Sequence, residues 1–492
     1  MTSPGPDHTV PAPLTFERHL TEFIPPYPPR FKDSPPVWKR LMTARRSLIA
    51  MWEDKDFEYE FASGRLLTRR TFLCNCPDAV RFAFSTHNDS FERKSAQQRH
   101  ALAPLIGDGL LISDGATWRF RRRLVAPITH ASRLSDFAGA MVQAARDMRE
   151  RWLALAPGTE IDVHREMGAL TADIICRTVF GNSLARSDAQ EVTDSFSDYQ
   201  NMIEQVDLAS LIGLPDWLPR LRSPALRRAV RRIHAVLDRL IAEHRNGEET
   251  SVLGRLINAR DAETGQPLTG EALRNEIAVL FLAGLESSAN GLSWSLYLLS
   301  QVPDVEARFH AEIDTLLGGR TACYTDVPGL VFTRAIVDEA LRLYPPLPFL
   351  SREAVRDETF RDRVIPRGSL IFVVPWLLHR HRKFWDRPDH FLPDRFMPGQ
   401  PAPSKFSYIP FSIGPRICSG MAFGTMEAIL CLATIAQSFS LRLKEGHRVN
   451  PVARLTLRPE GGLPMTLQRR EPVEHGHKPV PALAQGCPNG QR

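Results

Sequence analysis

Apolar residues recur along most of the chain with the spacing of helices. The segment 223–245 reads SPALRRAVRRIHAVLDRLIAEHR, in which Ser223 is a preferred N-cap residue and Pro224 suits the first helical position. Its apolar stripe has the spacing of an amphipathic helix and consists of Leu226, Val230, Ile233, Leu237 and Leu240. Arginines lie mostly off that stripe, so we interpret this face of the helix as solvated.

A second segment predicts a helix that is buried on all sides. Residues 272–300 read ALRNEIAVLFLAGLESSANGLSWSLYLLS and are apolar nearly all round, which is the pattern of a core helix. Strand signals are few and short, and the best is LIFVVPW at 370–376. The sequence therefore predicts a mainly α fold with a small β part.

The two ends of the chain differ in composition from its middle. Residues 1–15 and 471–492 are rich in proline, glycine and polar residues, and they predict flexible tails. Between them no low-complexity linker and no repeat period interrupts the sequence. Although 492 residues could hold two or three domains by length, we expect one continuous domain over 16–470.

Composition and charge restrict the class of protein. The chain is 43% hydrophobic and 24% charged with a net charge of +6, and no nucleic-acid motif accompanies its arginines, so we expect no nucleic-acid partner. Seven cysteines are too few for a disulfide scaffold, and we interpret Cys74 and Cys76 as packing residues. The N-terminus has no apolar run that could be a signal peptide or anchor. We therefore expect a cytoplasmic protein without a membrane anchor.

The centre of the buried helix carries polar groups that need partners or a function. There the sequence reads AGLESS, from Ala283 to Ser288, and a buried carboxylate is costly when it has no partner. A flat cofactor could approach over the small Ala283 and Gly284, with Glu286 and Ser287 beside it to pass protons. Ser287 could also donate to the carbonyl one turn back. The alternative is a capped break between two short helices.

Two further helices carry paired residues at helical spacing. Glu339 and Arg342, in VDEALRLYPP, are close enough for an ion pair. Together with Arg395, in WDRPDHFLPDRF, they could form a network that clamps the cysteine loop. Trp118 and Arg122, in SDGATWRFRRRLVAP, lie one turn apart and can point at one acidic group. For both pairs an ordinary charged helix face is the alternative.

The stretch 411–420 reads FSIGPRICSG and places one cysteine among glycines and an arginine. Four interpretations compete for Cys418: packing, a disulfide, a protein-ligated metal, or a thiolate held open for a large cofactor. Gly414 permits a tight loop, Gly420 lets the next helix lie close to a planar ring, and the positive helix end favours the thiolate. Arg416 offers charge to a ring carboxylate. Zinc would need three more ligands, so these residues better suit iron held by a porphyrin.

These motifs together resemble those of the cytochrome P450 family. The family's F-x-x-G-x-R-x-C-x-G loop is complete, its A-G-x-[DE]-T-T segment corresponds to AGLESS, and its E-x-x-R, P-E-R-F and W-x-x-x-R motifs correspond to the pairs above. The motifs follow the family's order, and the resemblance covers about 16–470. Asp394 replaces glutamate in PDRF, Ser287 replaces threonine, and Arg382 stands where related chains often carry proline.

The resemblance implies a single-domain P450 fold with haem b buried between the long central helix and the cysteine-ligand helix. Cys418 would ligate the iron, and Phe411 would shield its sulfur. The haem propionates would be bound by one tryptophan and three arginines: Trp118, Arg122, Arg352 and Arg416. Ala283 and Gly420 would let the protein approach the ring, and Gly414 would let the cysteine loop fold tightly.

The resemblance also implies an activity. The expected enzyme is a monooxygenase that activates dioxygen and hydroxylates or epoxidises an apolar small molecule, such as a fatty acid, a terpenoid or an aromatic compound. Glu286 and Ser287 would deliver the protons, and serine at 287 predicts leakier delivery than threonine. The alternatives are a peroxygenase or isomerase of the same fold, against which the Glu286–Ser287 pair argues, and a non-catalytic haem sensor.

Partners and pocket follow from the same resemblance. Since no flavin domain follows Arg492, we expect a monomer that receives electrons from NAD(P)H through a separate ferredoxin or flavodoxin and its reductase. Basic residues around Arg119–Arg123 would dock that partner. The substrate pocket is expected to draw on four segments, which are the loop at 88–106, the helix at 194–206, the centre of the long helix, and PLPFL at 346–350. An apolar lid is expected at 211–219.

Overall fold

The computed structural model describes residues 22–181, 186–203, 207–212, 214, 222–244, 251–268 and 270–470. These residues form fifteen α-helices: α1 Val37–Arg46, α2 Pro77–Arg81, α3 Ala96–Ile106, α4 Gly115–Val125, α5 Leu134–Leu153, α6 Val163–Ile175, α7 Arg186–Met202, α8 Leu208–Leu211, α9 Pro224–His244, α10 Val252–Asn258, α11 Gly270–Gln301, α12 Pro303–Leu317, α13 Val331–Leu343, α14 Pro375–Leu378 and α15 Met421–Ala436.

The same residues form twelve short strands: β1 Phe61–Leu66, β2 Arg69–Cys74, β3 Arg93–Lys94, β4 Glu160–Asp162, β5 Leu350–Glu353, β6 Glu358–Phe360, β7 Arg363–Ile365, β8 Leu370–Val373, β9 Phe439–Leu443, β10 Pro451–Ala453, β11 Leu457–Pro459 and β12 Pro464–Arg469. The predicted fold class, mainly α with a small β part, is confirmed. The expected domain boundaries at 15/16 and 470/471 stay predictions, because both tails lie outside the described residues.

Helix α9 forms as its sequence pattern predicts. Its first turn is capped by Ser223, whose Oγ accepts a hydrogen bond from the N–H of Leu226 at 3.1 Å. Ile233 and Leu237 on the predicted stripe are fully buried, whereas the arginines opposite are exposed. Burial of the stripe therefore holds this helix against the rest of the protein.

Helix α11 is one continuous helix, so the alternative of a capped break is wrong. It is buried along most of its length and packs against α6, α13 and α15. Gly284 permits the contact with α6, because a Cβ atom there would lie 2.4 Å from Cδ1 of Ile175. Gly284 therefore allows α11 and α6 to pack closely. The sequence predicted only that this glycine would leave space for a flat cofactor.

The largest sheet has five strands in the order β1-β2-β8-β5-β3. Strands β2 and β8 pair in parallel and the other neighbours pair antiparallel. The predicted strand at 370–376 is shorter in the structure, because Pro375 begins helix α14. Proline lacks the N–H that a strand needs and suits the first turn of a helix.

Among the described residues, three smaller sheets complete the β part of the fold. Strand β12 joins β4 to β9, while β10 pairs with β11 and β6 with β7. Cys74 and Cys76 are buried in an apolar cluster, which agrees with their predicted packing role. Within the described part of the chain, no helix is both long enough and apolar enough to cross a membrane.

Candidate active site

A cavity of about 750 Å³ runs from the interior of the protein to its surface. Cys418 and the centre of α11 both line it, and so do residues of the predicted pocket segments 88–106, 194–206 and 346–350. Of the predicted lid at 211–219, Leu211 lines the cavity, but most of that segment lies outside the described residues. Ala283 is exposed although it lies mid-helix, because it faces this cavity.

The cysteine loop is tight because glycine stands at one position. Gly414 has φ +75°, and a Cβ atom there would lie 1.8 Å from the carbonyl oxygen of Phe84. The loop then closes on itself, since the N–H of Cys418 donates to the carbonyl of Phe411 at 2.9 Å. Gly420 precedes the first residue of α15. A Cβ atom there would meet the sulfur of Cys418 at an ordinary 3.9 Å, so protein packing alone does not require this glycine.

The surroundings of Cys418 shift the pKa of its thiol in opposite directions. The Cys418 side chain is exposed to the cavity, but the surrounding protein still desolvates it and raises its pKa, whereas the N–H of Gly420 and the charge of Arg122 act in the opposite direction. The N–H of Gly420 at the helix end therefore acts in the predicted direction, towards the thiolate, although desolvation outweighs it in the protein without a bound metal. Binding of a metal would replace the thiol proton, because the thiolate is the ligand form of cysteine.

A cationic group faces the same cavity. Arg122 and Arg416 line it together with Trp118, and the guanidinium of Arg416 stacks 4.6 Å from the centre of the Trp118 ring. Nε of Arg416 is buried without a hydrogen-bond partner, and among the described residues no carboxylate neutralises Arg122. Cations held in this way suit anionic groups of a bound molecule.

Lys94 also belongs to this cationic group, although it is part of none of the motifs described above. It lines the cavity, and burial together with the charges of Arg352 and Arg416 lowers its pKa well below the usual value. It directly precedes Ser95, whose side chain caps helix α3. A lysine beside the positive end of a helix is unfavourable unless an anion binds there. A lysine directly before an N-cap serine is therefore a signal in the sequence that points to Lys94.

Arg352 lies beside the cavity but is held by the protein. Its side chain is fully buried, and its guanidinium donates to the carbonyl of Glu92 at 3.2 Å and stacks 4.6 Å from the Phe84 ring centre. Burial and the nearby Arg416 lower its pKa to about 9. Because Nε of Arg352 has no partner among the described residues, part of its donor capacity remains available.

The carboxylate of Glu286 is held by hydrogen bonds from polar side chains at the cavity wall. Its Oε1 accepts hydrogen bonds from Gln200 at 2.8 Å and from Thr456 at 2.9 Å. Ser287 donates to the carbonyl of Ala283 at 2.5 Å, as predicted, and both residues line the cavity. The sequence places an acid and a hydroxyl side by side, and the structure orients the acid through two residues that the sequence did not single out.

The neighbouring serine faces a different element. Ser288 donates its hydroxyl hydrogen bond to Glu427 of α15, a carboxyl that is completely buried. The other oxygen of Glu427 has no partner among the described residues. Burial raises the pKa of Glu427 to about 8, so this carboxyl carries a proton at neutral pH.

The predicted charge network exists, and its direct contacts are with the segment that precedes the cysteine loop. Arg342 bonds Glu339 at 2.6 and 2.7 Å, and Arg395 approaches Glu339 at 3.3 Å. The remaining donors of Arg342 bind the carbonyls of His379, Pro388 and His390. The network therefore fixes the segment before the cysteine loop, because backbone carbonyls there face the guanidinium.

His379 connects the charge network to the start of the cysteine loop. Its Nε2 accepts the N–H of Ile409 at 2.9 Å. Burial, followed by the charge of Arg342, lowers the pKa of His379 to about 3, so the ring is neutral and can accept. The clamp thus reaches the loop through one buried histidine.

Two departures from the family pattern have structural partners. Asp394 forms a double ion pair with Arg308 of α12, at 2.7 and 2.9 Å. Arg382 donates to Asp54 and Glu58, both at 2.5 Å. Asp394 and Arg382 therefore each form ion pairs with residues that are distant in the sequence.

The arginines expected to dock a redox partner are largely neutralised. Arg121 is buried between Asp108 and Glu276, and Arg123 is paired with Asp261 at 2.6 Å. Arg119 lies 3.3 Å from Glu92, and Arg122 lines the cavity. Carboxylates from other elements therefore compensate three of these four positive charges, and the docking role of this segment stays a prediction.

The chemistry of the site fits a porphyrin that carries iron. Cys418 supplies one thiolate, and across the described residues no group of three or more histidine, cysteine or carboxylate side chains could hold a metal by itself. Lys94, Arg122 and Arg416 offer cations for ring carboxylates, and Nε of Arg416 needs a partner. The fold and the site together define a class of protein, the haem-thiolate proteins.

Comparison with known proteins identifies the family within that class. The family model of cytochrome P450 matches residues 47–465. Cyclooctatin synthase of Streptomyces melanosporofaciens is 34% identical over 363 residues, 72% of this chain and 77% of that protein. Taurochenodeoxycholic 6 alpha-hydroxylase of Sus scrofa is 30% identical over 424 residues, 82% of each chain. The chain belongs to the cytochrome P450 family.

A solved structure supports the same conclusion about the fold. The haem domain of cytochrome P450DA has a TM-score of 0.74 and 25% identity, covering 93% of this chain and 99% of that one. The resemblance found in the sequence is therefore confirmed. The protein is a P450 monooxygenase, and the family binds haem and depends on a redox partner.

Proposed function

We propose that this protein hydroxylates or epoxidises an apolar small molecule, bound in the cavity between Cys418 and the centre of α11. The observation that carries the proposal is that Cys418, Ala283, Glu286 and Ser287 line one cavity. Haem b, when bound, supplies the activation of dioxygen and the redox chemistry. The protein supplies the ligand, the orientation of the substrate and the protons.

The residues divide into three roles under this proposal. Cys418 ligates the iron, with Phe411, Gly414 and Gly420 shaping the loop around it. The propionates bind to cations and to one indole: Trp118, Lys94, Arg122, Arg352 and Arg416. Ala283 leaves space above the ring, and Glu286 hands a proton to the hydroxyl of Ser287 at the cavity surface.

The first test is the spectrum of the reduced protein with carbon monoxide, recorded beside Cys418→Ser. A strongly red-shifted Soret band in the wild type alone is the expected result, because only a thiolate ligand produces it. A band at the position typical of imidazole ligation in both proteins would overturn the assignment of Cys418.

The second test concerns proton delivery. We expect Ser287→Ala and Glu286→Gln to form less product per dioxygen consumed and more peroxide, because both remove a group at the cavity wall. Ser295→Ala is the matched control, since Ser295 lies on the same helix, is buried, and bonds the carbonyl of Gly291 at 2.8 Å. Equal losses in all three variants would indicate a helix defect instead of proton delivery.

The electron donor is proposed to be a ferredoxin or flavodoxin with its NAD(P)H-dependent reductase. Product formation with such a pair, and much slower formation with peroxide, is the expected result. Turnover with peroxide alone would favour a peroxygenase. Tight haem without a spectral response to any apolar ligand would favour a sensor.

The substrate is proposed to be apolar because the cavity wall is apolar. Leucine, valine and phenylalanine side chains dominate it, among them Leu102, Leu105, Val279, Leu347 and Phe349. One relative is named Taurochenodeoxycholic 6 alpha-hydroxylase and another Cyclooctat-9-en-7-ol 5-monooxygenase, and these names support a small-molecule substrate for this protein as well. Haem spectral shifts with fatty acids, terpenoids and aromatic compounds would distinguish the classes.

A further inference from the structure

A stripe of polar side chains follows one face of the buried helix α11, starting at Glu286. Glu286, Asn290 and Ser293 occur at positions i, i+4 and i+7, so they lie within a sector of about 60° on the helix. All three are buried, and Asn290 and Ser293 completely so. Of the three, only Glu286 lines the cavity. Because buried polar groups are costly unless they have partners, Asn290 and Ser293 need a reason other than contact with a substrate.

The stripe ends at a histidine of the neighbouring helix. His164 lies on the first turn of α6, which packs against α11, and its Nδ1 is 3.4 Å from Oγ of Ser293. His164 is half-buried and the next residue, Arg165, is exposed, so this end of the stripe reaches the protein surface. At the other end, Nδ2 of Asn290 is 3.4 Å from Oε1 of Glu286. The stripe therefore connects the surface with the cavity wall.

The middle of the stripe has unused capacity for hydrogen bonds. Oδ1 of Asn290 is buried and accepts no hydrogen bond from any described residue, and buried waters in proteins bind polar atoms of this kind. The hydroxyl of Ser293 donates to the carbonyl of Ala289 at 2.6 Å, which leaves its lone pairs for a second contact. Since Asn290 and Ser293 are neighbours on the helix surface, one water can bond both of them.

The charges around His164 keep its ring neutral at neutral pH. Burial has the largest effect and lowers the pKa of His164, and the positive charge of Arg458 on β11 acts in the same direction. The carboxylates of Glu286 on α11 and of Asp162 on β4 act against them without cancelling them. A neutral imidazole carries a proton on one nitrogen and has a free acceptor on the other, so it can receive and release a proton at the same time.

We propose that His164 is the point at which solvent protons enter a route to Glu286. A proton binds Nε2 of His164 while the proton on Nδ1 passes to Oγ of Ser293. Ser293 releases its own hydroxyl proton to a water on Oδ1 of Asn290, and that water releases one to the Glu286 carboxylate. One proton enters for each that arrives, and rotation of the hydroxyl and exchange of the histidine tautomer restore the route. The inference rests on the proposed function, in which Glu286 hands protons to Ser287.

Nuclear magnetic resonance tests the electrical contact between the two ends of the route without turnover. The haem-loaded protein, labelled at Cε1 of histidine, is reduced and bound to carbon monoxide, and His164→Gln identifies the signal of His164. Glu286→Gln should lower the pKa of His164, because a carboxylate that raises this pKa is lost. Glu150→Gln, in an exposed part of α5, should leave it unchanged. Equal protonation of His164 in the wild type and in Glu286→Gln at every pH would overturn the proposal.

Dioxygen consumption in H₂O and D₂O tests the transfer of protons. Ferredoxin, its reductase and NADPH are in excess, and dodecanoic acid is the apolar probe. His164→Gln keeps a polar side chain that cannot relay a proton, so it should consume dioxygen at least about tenfold more slowly, with a larger solvent isotope effect than the wild type. His310→Gln changes a half-buried histidine of α12 that does not line the cavity and should change neither quantity. A slower His164→Gln with an unchanged isotope effect would mean that His164 acts only structurally, which would overturn the proposal.

The serine of the route has a matched control on the same helix. Ser293→Ala should show the slower consumption and the larger isotope effect, whereas Ser295→Ala, which also loses a buried hydrogen bond to the carbonyl one turn back, should behave as the wild type. Equal effects in both serine variants would contradict the route.

Failure of the inference can be distinguished from failure of the proposed function. The carbon monoxide spectrum of every variant shows whether the haem site is intact. A wild type that has the expected spectrum but consumes no dioxygen would contradict the proposed function. The titration of His164 would still decide whether the histidine and Glu286 are in contact, because it requires no turnover.

Discussion

Glu427 offers a quantitative prediction, because its environment determines how stability depends on pH. The carboxyl is completely buried in α15, and one of its oxygens has no partner among the described residues. Burial raises its pKa from 4.5 to about 8. In the unfolded chain the proton leaves near the lower value, and in the folded protein it stays until about the higher one. The free energy of unfolding therefore falls as pH rises between the two values and changes no further above them.

The magnitude follows from the same shift. At about 1.4 kcal/mol per pKa unit, the full change amounts to roughly 5 kcal/mol. Glu427→Gln resembles the protonated carboxyl in shape and cannot ionise. The free energy of unfolding of this variant minus that of the wild type should therefore increase by several kcal/mol from pH 5 to pH 8.

Urea titrations of the haem-loaded proteins across this pH range measure that difference. Glu150→Gln removes an exposed carboxyl from α5 and serves as the control, for which the difference should remain small at every pH. Other buried acids affect both proteins equally and cancel in the comparison. A constant difference between Glu427→Gln and the wild type would refute the reasoning, because it would mean that Glu427 ionises normally.

Three further predictions concern the loop, its clamp and the proton donor. Gly414→Ala should lose haem and destabilise the fold, because its Cβ atom would overlap a backbone carbonyl. Gly158→Ala, with a similar φ of +79° and no atom within 4 Å, should cost only about 1 kcal/mol, and equal losses on thermal unfolding would contradict this. Arg342→Lys should cost at least about 3 kcal/mol in urea titrations, because lysine cannot replace five buried hydrogen bonds. Arg334→Lys, on the exposed face of the same helix, should change little. Ser287→Thr should lower peroxide release during turnover, and a rise would refute the expectation that serine delivers protons less tightly.

Local patterns in the sequence were sufficient for the parts of the site that lie close together in the chain. The cysteine loop, the Glu339–Arg342 pair and the Ser287 bond to the carbonyl one turn back each depend on residues within ten positions of one another. Their geometry follows from helix periodicity and from the φ angle that glycine permits. These predictions therefore needed no knowledge of tertiary structure.

Long-range contacts explain what the sequence analysis missed. Ser288 and Glu427 are 139 positions apart, and Thr456 reaches Glu286 across 170 positions. The same cause concealed the ion pairs of the arginines that are expected to dock a redox partner, since Asp261 lies 138 positions from Arg123. Neither helix spacing nor composition indicates which carboxylate will neutralise which arginine, because that depends on how the elements pack.

The adjacent serines of α11 show how the helix separates two tasks. Ser287 faces the cavity and bonds within its own helix, so its hydroxyl can exchange a proton without altering a contact between helices. Ser288 bonds Glu427 on α15, the helix that follows Cys418, and therefore helps to hold together the two helices on which the cavity depends. Because successive helical residues point about 100° apart, one helix can present chemistry on one side and attachment on the next. Polar residues that looked like a single motif in the sequence thus serve two separate sites.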